Sequence, residues 1–425
     1  MAKIREKQRK QSSAYDIYHI GVLDGIRALA VIIVVWFHFW QQSWLMPVVG
    51  DVSFDWIPRT GYLLVDCMIL LSGFCLFLPY ARSMVYGEKV PSTPTFYMKR
   101  VARIMPSYYI AVLIALFCFA LPMKEYATNT DMWKDFIPHL TFTHNLFPES
   151  ATMTHLNGVL WTVAVEMQFY LFFPLLAKAF SKKPMTTYWC MTAVGVISSL
   201  YISRHWDTIN QGLVVNQTLT FASVYANGML GAWLYVAMTK DRQKNHAESV
   251  LWTVIAVASI GIYQVMCQNN ISYTAGSRWQ VDYRYLLSLV FLLFVISVIM
   301  SVDWFHKIWD NRVMRYLAAI SYNLYICHQY ISVKLKEMHI PAWEGDTAPN
   351  ELGDKEWMWK YFLLCIVLSL LIATAMTYLV ERPAAKLIMR LWNGRGGRPA
   401  EAVASQNQSA LAGKKSVKKT SGKKR

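Results

Sequence analysis

Long apolar runs alternate with short polar segments along most of this chain. Ten of the runs approach the roughly 20 apolar residues that a helix needs to cross a bilayer. They lie at 22–41, 61–80, 104–121, 158–177, 186–203, 218–238, 249–267, 283–302, 316–335 and 358–380. The pattern predicts an all-α, polytopic membrane protein with about ten transmembrane helices.

The composition supports a membrane protein and limits its chemistry. Hydrophobic residues make up 55% of the 425 and charged residues 16%, with a mean hydropathy of +0.26. The seven cysteines lie in or beside the apolar runs and lack the paired spacing of a metal site. Their odd number argues against a disulfide framework. We therefore expect neither a bound metal ion nor disulfide bonds.

Positive charges decide the predicted orientation in the membrane. With the N-terminus in the cytoplasm, 32 of the 42 Lys and Arg residues fall on the cytoplasmic side, counting Arg27 at the inner border. Leaving out the twelve from Arg382 onward still gives twenty inside against ten outside. Both termini are therefore predicted to be cytoplasmic. The membrane is predicted to be the inner or plasma membrane of the cell.

The two ends of the chain differ from its middle. We divide the sequence into a basic cytoplasmic segment at 1–20, a transmembrane domain at 21–393 and a basic tail at 394–425. The tail is rich in Gly, Ser, Ala and Lys, has little to bury and is predicted to be disordered. Since it would emerge beside the bilayer, we expect it to bind anionic inner-leaflet lipids rather than nucleic acid.

The first apolar run carries two charges and an imidazole on one helical face. Eleven residues separate Arg27 from His38, which returns His38 to within about 20° of Arg27 after a rise of about 16 Å. Asp24, one turn before Arg27, shares this face. Charges in a membrane helix usually face a polar interior, so the face indicates a buried polar path. Alternatively, Asp24 and Arg27 pair at the inner surface while His38 extends to the outer one.

The polar residues of the other spans separate by predicted depth. Near the inner border, Arg100 and Arg103 share a face at i,i+3 spacing and could bind phosphate groups or serve as ordinary cytoplasmic anchors. Towards the outer side lie residue types that proton transfer uses. Besides His38, this outer set contains Asp66, Glu166, Tyr325 and His328.

The outer set also has a structural interpretation. Asp66 could pair with any cation of an outer loop, and Glu166 could be a carboxylate that holds two helices together. Ser321, Tyr325 and His328 share one face of the ninth run. That face could line a substrate groove or form a polar seam between helices.

Six short blocks containing these residues occur in a fixed order. They are 23–27 with His38, 65–74, Arg100 with Arg103 and Pro106, 160–170, 320–328 and 380–383. Taken together, the blocks resemble those of the integral-membrane acyltransferase family 3, over about residues 18–390. Thr162 stands where that family often has serine, and this difference does not affect a titratable residue.

The resemblance implies transfer of an acyl group, usually acetyl from acetyl-coenzyme A, to a hydroxyl of a cell-surface or exported carbohydrate. It identifies Arg27 and His38 as the essential pair of the first helix, and Arg100 and Arg103 as the arginine pair. We expect acetyl-coenzyme A or another acyl-coenzyme A as the donor, bound through its phosphates by these three arginines with Asp24 beside them.

The predicted reaction centres on His38, as a general base or as a covalent acyl relay, and we favour the base. We expect Glu166 or Asp66 to orient His38. The carbohydrate or glycolipid acceptor would contact Tyr325, His328 and Ser321. A transporter or flippase of a glycan or lipid is the alternative, since the same polar residues could line a translocation path.

Overall fold

The chain folds almost entirely into helices, which confirms the predicted all-α class. The computed structural model describes residues 16–18 and 20–395, and it is 78% helical. Its strands are one antiparallel hairpin, Val48–Val49 with Val52–Ser53. The long helices are α1 (Gly21–Ser43), α2 (Leu64–Tyr86), α3 (Thr93–Ile114), α4 (Asn129–Leu140), α5 (Trp161–Lys182), α6 (Pro184–Arg204), α7 (Ala222–Met238), α8 (His246–Ser272), α9 (Gly276–Met300), α10 (Arg312–Glu337), α11 (Lys355–Ala375) and α12 (Arg382–Arg395).

Short helical turns and two wide turns complete the path of the chain. The short α-helices are Trp56–Arg59, Pro148–Ala151, Gln211–Val214 and Asp303–Trp309. The 3₁₀ turns are Gly61–Leu63, His144–Leu146, Gly158–Leu160 and Thr218–Phe221. A π-helical segment, Ala115–Ala120, continues α3, and a second, Met376–Glu381, joins α11 to α12.

Eight helical stretches of the described chain are long and apolar enough to cross a membrane, so the protein is a multi-pass membrane protein. They are Gly21–Ser43, Gly61–Tyr86, Thr93–Ala120, Gly158–Lys182, Pro184–Arg204, His246–Ser272, Gly276–Met300 and Lys355–Gly394. The other two predicted spans correspond to α7, which has 17 residues, and to α10, whose buried residues include Asn323, His328 and Lys334. The count of ten spans and the orientation of the termini stay predictions.

Side chains at the helix starts explain several of the boundaries. Asn311 precedes α10 and accepts a hydrogen bond from the Met314 N–H at 3.0 Å. Asp354 does the same for the Trp357 N–H at the start of α11, at 3.1 Å. These caps satisfy main-chain donors that have no partner within the helix.

The tightest helix pair is α2 with α7, and two glycines make it possible. A Cβ added at Gly73 would lie 2.6 Å from the Tyr225 carbonyl oxygen, and one at Gly228 would lie 2.8 Å from the Phe74 nitrogen. Only hydrogen atoms fit at these positions, so the two backbones approach directly. α1 packs against the α2 member of this pair.

α10 packs along α1 on one side and against α11 on the other. Its buried face therefore meets the polar face of α1 that the sequence indicated. Because both helices run most of the length of the bundle, residues near the end of α1 meet residues in the middle of α10. This packing decides which predicted site residues come together.

The segment between α3 and α5 forms a small layer over one end of the bundle. Tyr108 of α3 donates to the His139 carbonyl at 2.9 Å, and Gln168 of α5 donates to the Asn145 side chain at 2.8 Å. Asn157 reaches α10 and donates to the Ile326 carbonyl at 2.7 Å. The layer is therefore fixed to three helices by buried polar contacts.

The predicted ends of the chain fall largely outside the described residues. The tail at 394–425 lies beyond the described chain after Arg395, and the N-terminal segment at 1–20 lies outside it except for 16–18 and Ile20. The proposed three-part division therefore stays a prediction.

Candidate active site

An arginine-lined cavity of about 310 Å³ opens between α1, α2, α3, α5 and α10. We call it the arginine cavity. Its polar lining consists of Asp24, Arg27, Ser72, Arg100, Arg103, Thr162, Glu166, Tyr170, Ser321, Tyr322 and Tyr325. Three guanidinium groups face two carboxylates, which gives the cavity an excess of positive charge. The structure brings Arg27, Arg100 and Arg103 together in this lining, and their binding of a donor stays a prediction.

Arg27 makes two long polar contacts within the cavity. Its Nη1 lies 3.6 Å from an Asp24 carboxylate oxygen, and its Nη2 lies 3.5 Å from the Cys75 sulfur. The Asp24–Arg27 pair of the structural alternative therefore forms, but both residues line the cavity. At these distances most of the five guanidinium hydrogens stay available to a ligand.

Arg100 is held by aromatic rings and not by a carboxylate. Its guanidinium carbon lies 5.9 Å from the centre of the Phe96 ring and 5.7 Å from that of Tyr170. Its Nε is buried and has no hydrogen-bond partner among the described residues. A buried, unsatisfied nitrogen is costly, so the geometry suits an anionic ligand that accepts its hydrogen bond.

A second cavity, of about 470 Å³, lies next to the first along α1. We call it the histidine cavity, and its lining is Phe37, His38, Tyr62, Val65, Trp161, Gln211, Gly212, Val215, Asn216, Ser277, Gln280 and Tyr325. Val65 and Tyr325 line both cavities. The two spaces are therefore neighbours that meet at this pair of side chains, with the arginines in one and His38 in the other.

His38 and His328 form a hydrogen-bonded pair between α1 and α10. The His38 Nδ1 and the His328 Nε2 are 3.1 Å apart, and the two rings meet edge to face with centres 4.9 Å apart. His328 is fully buried. The prediction had His328 contacting the acceptor; the structure makes it the neighbour of His38 instead.

Main-chain carbonyls assign the tautomers of this pair. The His328 Nδ1 lies 2.7 Å from the Tyr325 oxygen and 3.2 Å from the Leu324 oxygen, so it carries a hydrogen. The His38 Nδ1 faces two acceptors, the Val34 oxygen at 3.0 Å and the His328 Nε2, so it also carries a hydrogen. The Nε2 of His38 is then left with its lone pair.

Neither predicted carboxylate orients His38. Glu166 lines the arginine cavity, and the hydrogen-bonded neighbours of the His38 ring are Val34 and His328. The sequence indicated how deep Glu166 lies in its helix but not which way that helix turns, and depth alone suggested the wrong partner. Ser321 lines the arginine cavity and Tyr325 lines both cavities, and their contact with an acceptor stays a prediction.

Asp66 belongs to a separate buried network. Its Oδ2 lies 3.4 Å from the Arg284 Nε, and its Oδ1 accepts a hydrogen bond from Gln280 at 3.1 Å. Asp66 and Arg284 are both almost fully buried. Arg284 lies at the start of the predicted span 283–302. An arginine inside an apolar run was the signal for this pair.

Sequence reasoning assigned no role to several other lining residues, although two of them lie in the blocks 160–170 and 320–328. Tyr170 and Tyr322 are two tyrosines among 24, and within these blocks nothing distinguished them from packing residues. The segment 211–216 looked like an ordinary loop between spans. It becomes part of the histidine cavity only because the chain folds back over α9.

The block at 380–383 lies at the junction of α11 and α12 and contacts α10, one of the helices that line the arginine cavity. Glu381 accepts a hydrogen bond from Asn323 of α10 at 2.6 Å, and Arg382 lies over the Tyr378 ring at 4.2 Å. Asn323 also donates to Thr377 at 2.8 Å. These contacts fix the junction of α11 and α12 against α10.

Several known proteins have sequences similar to that of this chain. The chain is 24% identical over 347 residues to "O-acetyltransferase OatA" of Staphylococcus aureus (strain NCTC 8325 / PS 47), covering 78% of this chain and 54% of that protein. "Putative O-acetyltransferase SACOL0978" of S. aureus (strain COL) is 24% identical over 324 residues, covering 73% and 50%. "Acyltransferase MdmB" of Streptomyces mycarofaciens is 28% identical over 182 residues, covering 42% and 44%.

The chain spans about half the length of these relatives. No solved structure matches it. The family of the acyltransferase domain (Acyl_transf_3) matches residues 20–380, which include α1 to α11 and both cavities. With that match over most of its length, the chain belongs to the acyltransferase 3 family of membrane proteins.

Proposed function

We propose that this protein is a membrane O-acetyltransferase that moves an acetyl group from acetyl-coenzyme A to a hydroxyl of a cell-surface or exported carbohydrate or glycolipid. Family membership and the printed names of the relatives support O-acetyl transfer. The donor and the acceptor class are those that the resemblance to the family implies, and the location in the plasma or inner membrane follows from the predicted topology.

The observation that carries the proposal is the hydrogen bonding of the His38 ring, which lines the histidine cavity. Its Nδ1–H is engaged by Val34 and His328, so the free lone pair on Nε2 belongs to a residue that lines the histidine cavity. A hydroxyl in that cavity can lose its proton to Nε2. The neighbouring cavity can hold the donor with its thioester beside Val65 and Tyr325.

Arg27, Arg100 and Arg103 bind the donor in this proposal. Coenzyme A carries several phosphate charges, and forked guanidinium groups match them through charge-assisted hydrogen bonds. The rise from Arg27 to His38 along α1 is about 16 Å, a distance that a pantetheine arm can span. The phosphates would thus lie at one end of the path and the acyl group at the other.

The chemical step balances without a metal ion. His38 takes the hydroxyl proton, the oxygen attacks the thioester carbonyl, and the carbon–sulfur bond breaks as the ester forms. The thiolate of coenzyme A then takes the proton. A covalent relay, in which Nε2 itself carries the acetyl group, uses the same lone pair, and we favour the base because a hydroxyl in the histidine cavity reaches it directly.

Anionic lipids are proposed as partners of the C-terminal region. α12 exposes Leu387 and Leu391, each 57% accessible, beside the cations Lys386 and Arg390. Such a helix buries its apolar side chains among lipids while its cations meet anionic head groups. The basic residues that follow in the sequence would add to that attraction.

A comparison of two histidine variants tests the function. Purified protein is given labelled acetyl-coenzyme A, and release or transfer of acetate is measured. We expect His38→Ala to lower the rate about a hundredfold or more, as loss of a general base does. His205→Ala is the matched control, because His205 is exposed at the end of α6. An inert parent protein, or an active His38→Ala protein, would overturn the proposal.

A further inference from the structure

A buried arginine joins three separate elements that form the histidine cavity. Arg284 lies on α9, one turn after the lining residue Gln280. It pairs with Asp66, which follows the lining residue Val65 at the start of α2. Both members of the pair are fully enclosed, at 1% and 0% exposure.

The third element is the segment 211–221 between α6 and α7. The Arg284 Nη1 donates to the Val215 carbonyl at 2.8 Å and to the Thr220 hydroxyl at 2.7 Å. Its guanidinium carbon also lies 4.0 Å from the centre of the Phe221 ring. The same segment supplies Gln211, Gly212, Val215 and Asn216 to the wall of the cavity.

Gln280 completes the connection between α2 and α9. Its side-chain nitrogen donates to Asp66 at 3.1 Å, and Gln280 itself lines the cavity. One guanidinium therefore holds a carboxylate on one side and a loop on the other. A planar fork can make both contacts at once, whereas an ammonium group is a single point.

We propose that Arg284 is a positioning residue that fixes the 211–221 segment and thereby shapes the acceptor side of the histidine cavity. The proposal rests on the proposed function only in assigning that cavity to the acceptor. Arg284 is absent from the lining of either cavity, so it acts through the residues it holds. A buried charge of this kind, without its partner, is also a liability to folding.

Three variants separate positioning from folding. Arg284→Met removes the guanidinium and leaves Asp66 without its cation. Asp66→Asn combined with Arg284→Met removes both charges, so no unpaired charge is buried. Arg284→Lys keeps the charge beside Asp66 but loses the fork. The matched control is Arg59→Met, since Arg59 forms an ion pair with Asp55 at 3.3 Å away from this segment.

Amide hydrogen exchange of the full-length protein measures directly how firmly the segment is held. We expect residues 211–221 to exchange about tenfold faster in the double variant and in Arg284→Lys, because the hydrogen bonds to Val215 and Thr220 are lost. α1 and α10 should keep the exchange rates of the parent, and Arg59→Met should match the parent throughout. Unchanged exchange at 211–221 in the double variant would overturn the proposal.

A functional readout distinguishes this proposal from the proposed function. Hydrolysis of acetyl-coenzyme A by water needs the donor side and His38 but no shaped acceptor wall. We expect the double variant to keep that hydrolysis within about twofold of the parent, while alkali-released acetate from the surface carbohydrate of cells carrying it falls about tenfold. Equal surface acetylation would overturn the positioning role. A parent protein without hydrolysis would instead count against the proposed function, and the exchange result would stand.

Discussion

His38 takes its tautomer from a neighbouring imidazole and a main-chain carbonyl. In many hydrolases and transferases a carboxylate fills that position and also stabilises the charged imidazole. Here the partner, His328, is itself fixed by two carbonyls of its own helix. The arrangement orients the His38 ring without burying a second charge beside it.

Substitution of His328 tests that arrangement at the level of one hydrogen bond. His328→Leu removes the acceptor for the His38 Nδ1–H, and we expect kcat for acetyl-coenzyme A hydrolysis to fall about tenfold, with KM unchanged. His328→Gln places an amide oxygen near the position of Nε2 and should recover most of the rate. If Leu and Gln variants are equally slow, His328 acts through packing and not through the hydrogen bond.

The arginines make a separate prediction about donor binding. We expect Arg100→Ala and Arg103→Ala each to weaken the Kd for coenzyme A about tenfold or more in direct titration, because each loses charge-assisted phosphate contacts. Lys99→Ala is the control, since Lys99 is exposed beside Arg100 and absent from the cavity lining. Parent-like affinity in both arginine variants would make them topological anchors only.

At the level of helices, the sequence predicted which segments are helical better than it predicted which side chains each helix turns towards its neighbours. Every predicted span corresponds to a helix, because apolar runs of that length have few other outcomes in a membrane. The sequence could not show that α10 turns His328 towards His38, or that Glu166 turns towards the arginines. Those facts depend on helix rotation and packing, which for α2 and α7 follow from two glycines. Asp66 and Arg284 are 218 residues apart: the sequence marks each as a charge within an apolar run, and the fold shows that they pair.

The α2–α7 pair gives a test of packing at the level of helices. Gly228→Ala pushes a methyl group into the Leu70 carbonyl and the Phe74 nitrogen, so we expect a loss of about 1–3 kcal/mol of stability. Gly261→Ala is the matched control, because no atom lies within 4 Å of the added carbon and alanine favours a helix. The thermal midpoint of the solubilised protein should fall for the first and not for the second; equal midpoints would refute the close approach.

The layer between α3 and α5 predicts an acid-sensitive stability. His139 and His144 stack with ring centres 4.1 Å apart, and burial lowers the pKa of His139 to about 4 and that of His144 to about 3. The charge of His139 lowers the second pKa further. The unfolded chain binds these protons near pH 6.5 and the folded layer does not, so stability is full above that pH and falls below it.

Thermal midpoints between pH 7 and pH 4 measure this effect. Burial also raises the pKa of the adjacent Asp135, which opposes the loss at the acid end of the range. His144→Phe keeps an aromatic ring in the stack and should flatten the pH dependence, whereas His205→Phe, at an exposed site, should not. A parent protein with the same midpoint across that range would contradict the buried, neutral state of the pair.

At the scale of the whole molecule, the two cavities meet end to end along α1. Arg27 lies near the start of that helix and His38 near its end, on nearly one face. A donor bound by the arginines and an acceptor beside His38 would therefore enter from opposite ends of the bundle. This separation distinguishes an acyltransferase that works across the membrane from an enzyme with both substrates on one side.

Sidedness in sealed proteoliposomes tests this central claim most directly. Labelled acetyl-coenzyme A is supplied only on the side of the arginine cavity, and carbohydrate acceptor only on the side of the histidine cavity. The account predicts labelled acceptor, with coenzyme A retained on its own side. Labelling only when donor and acceptor share one compartment, or movement of an intact solute with the thioester untouched, would contradict it.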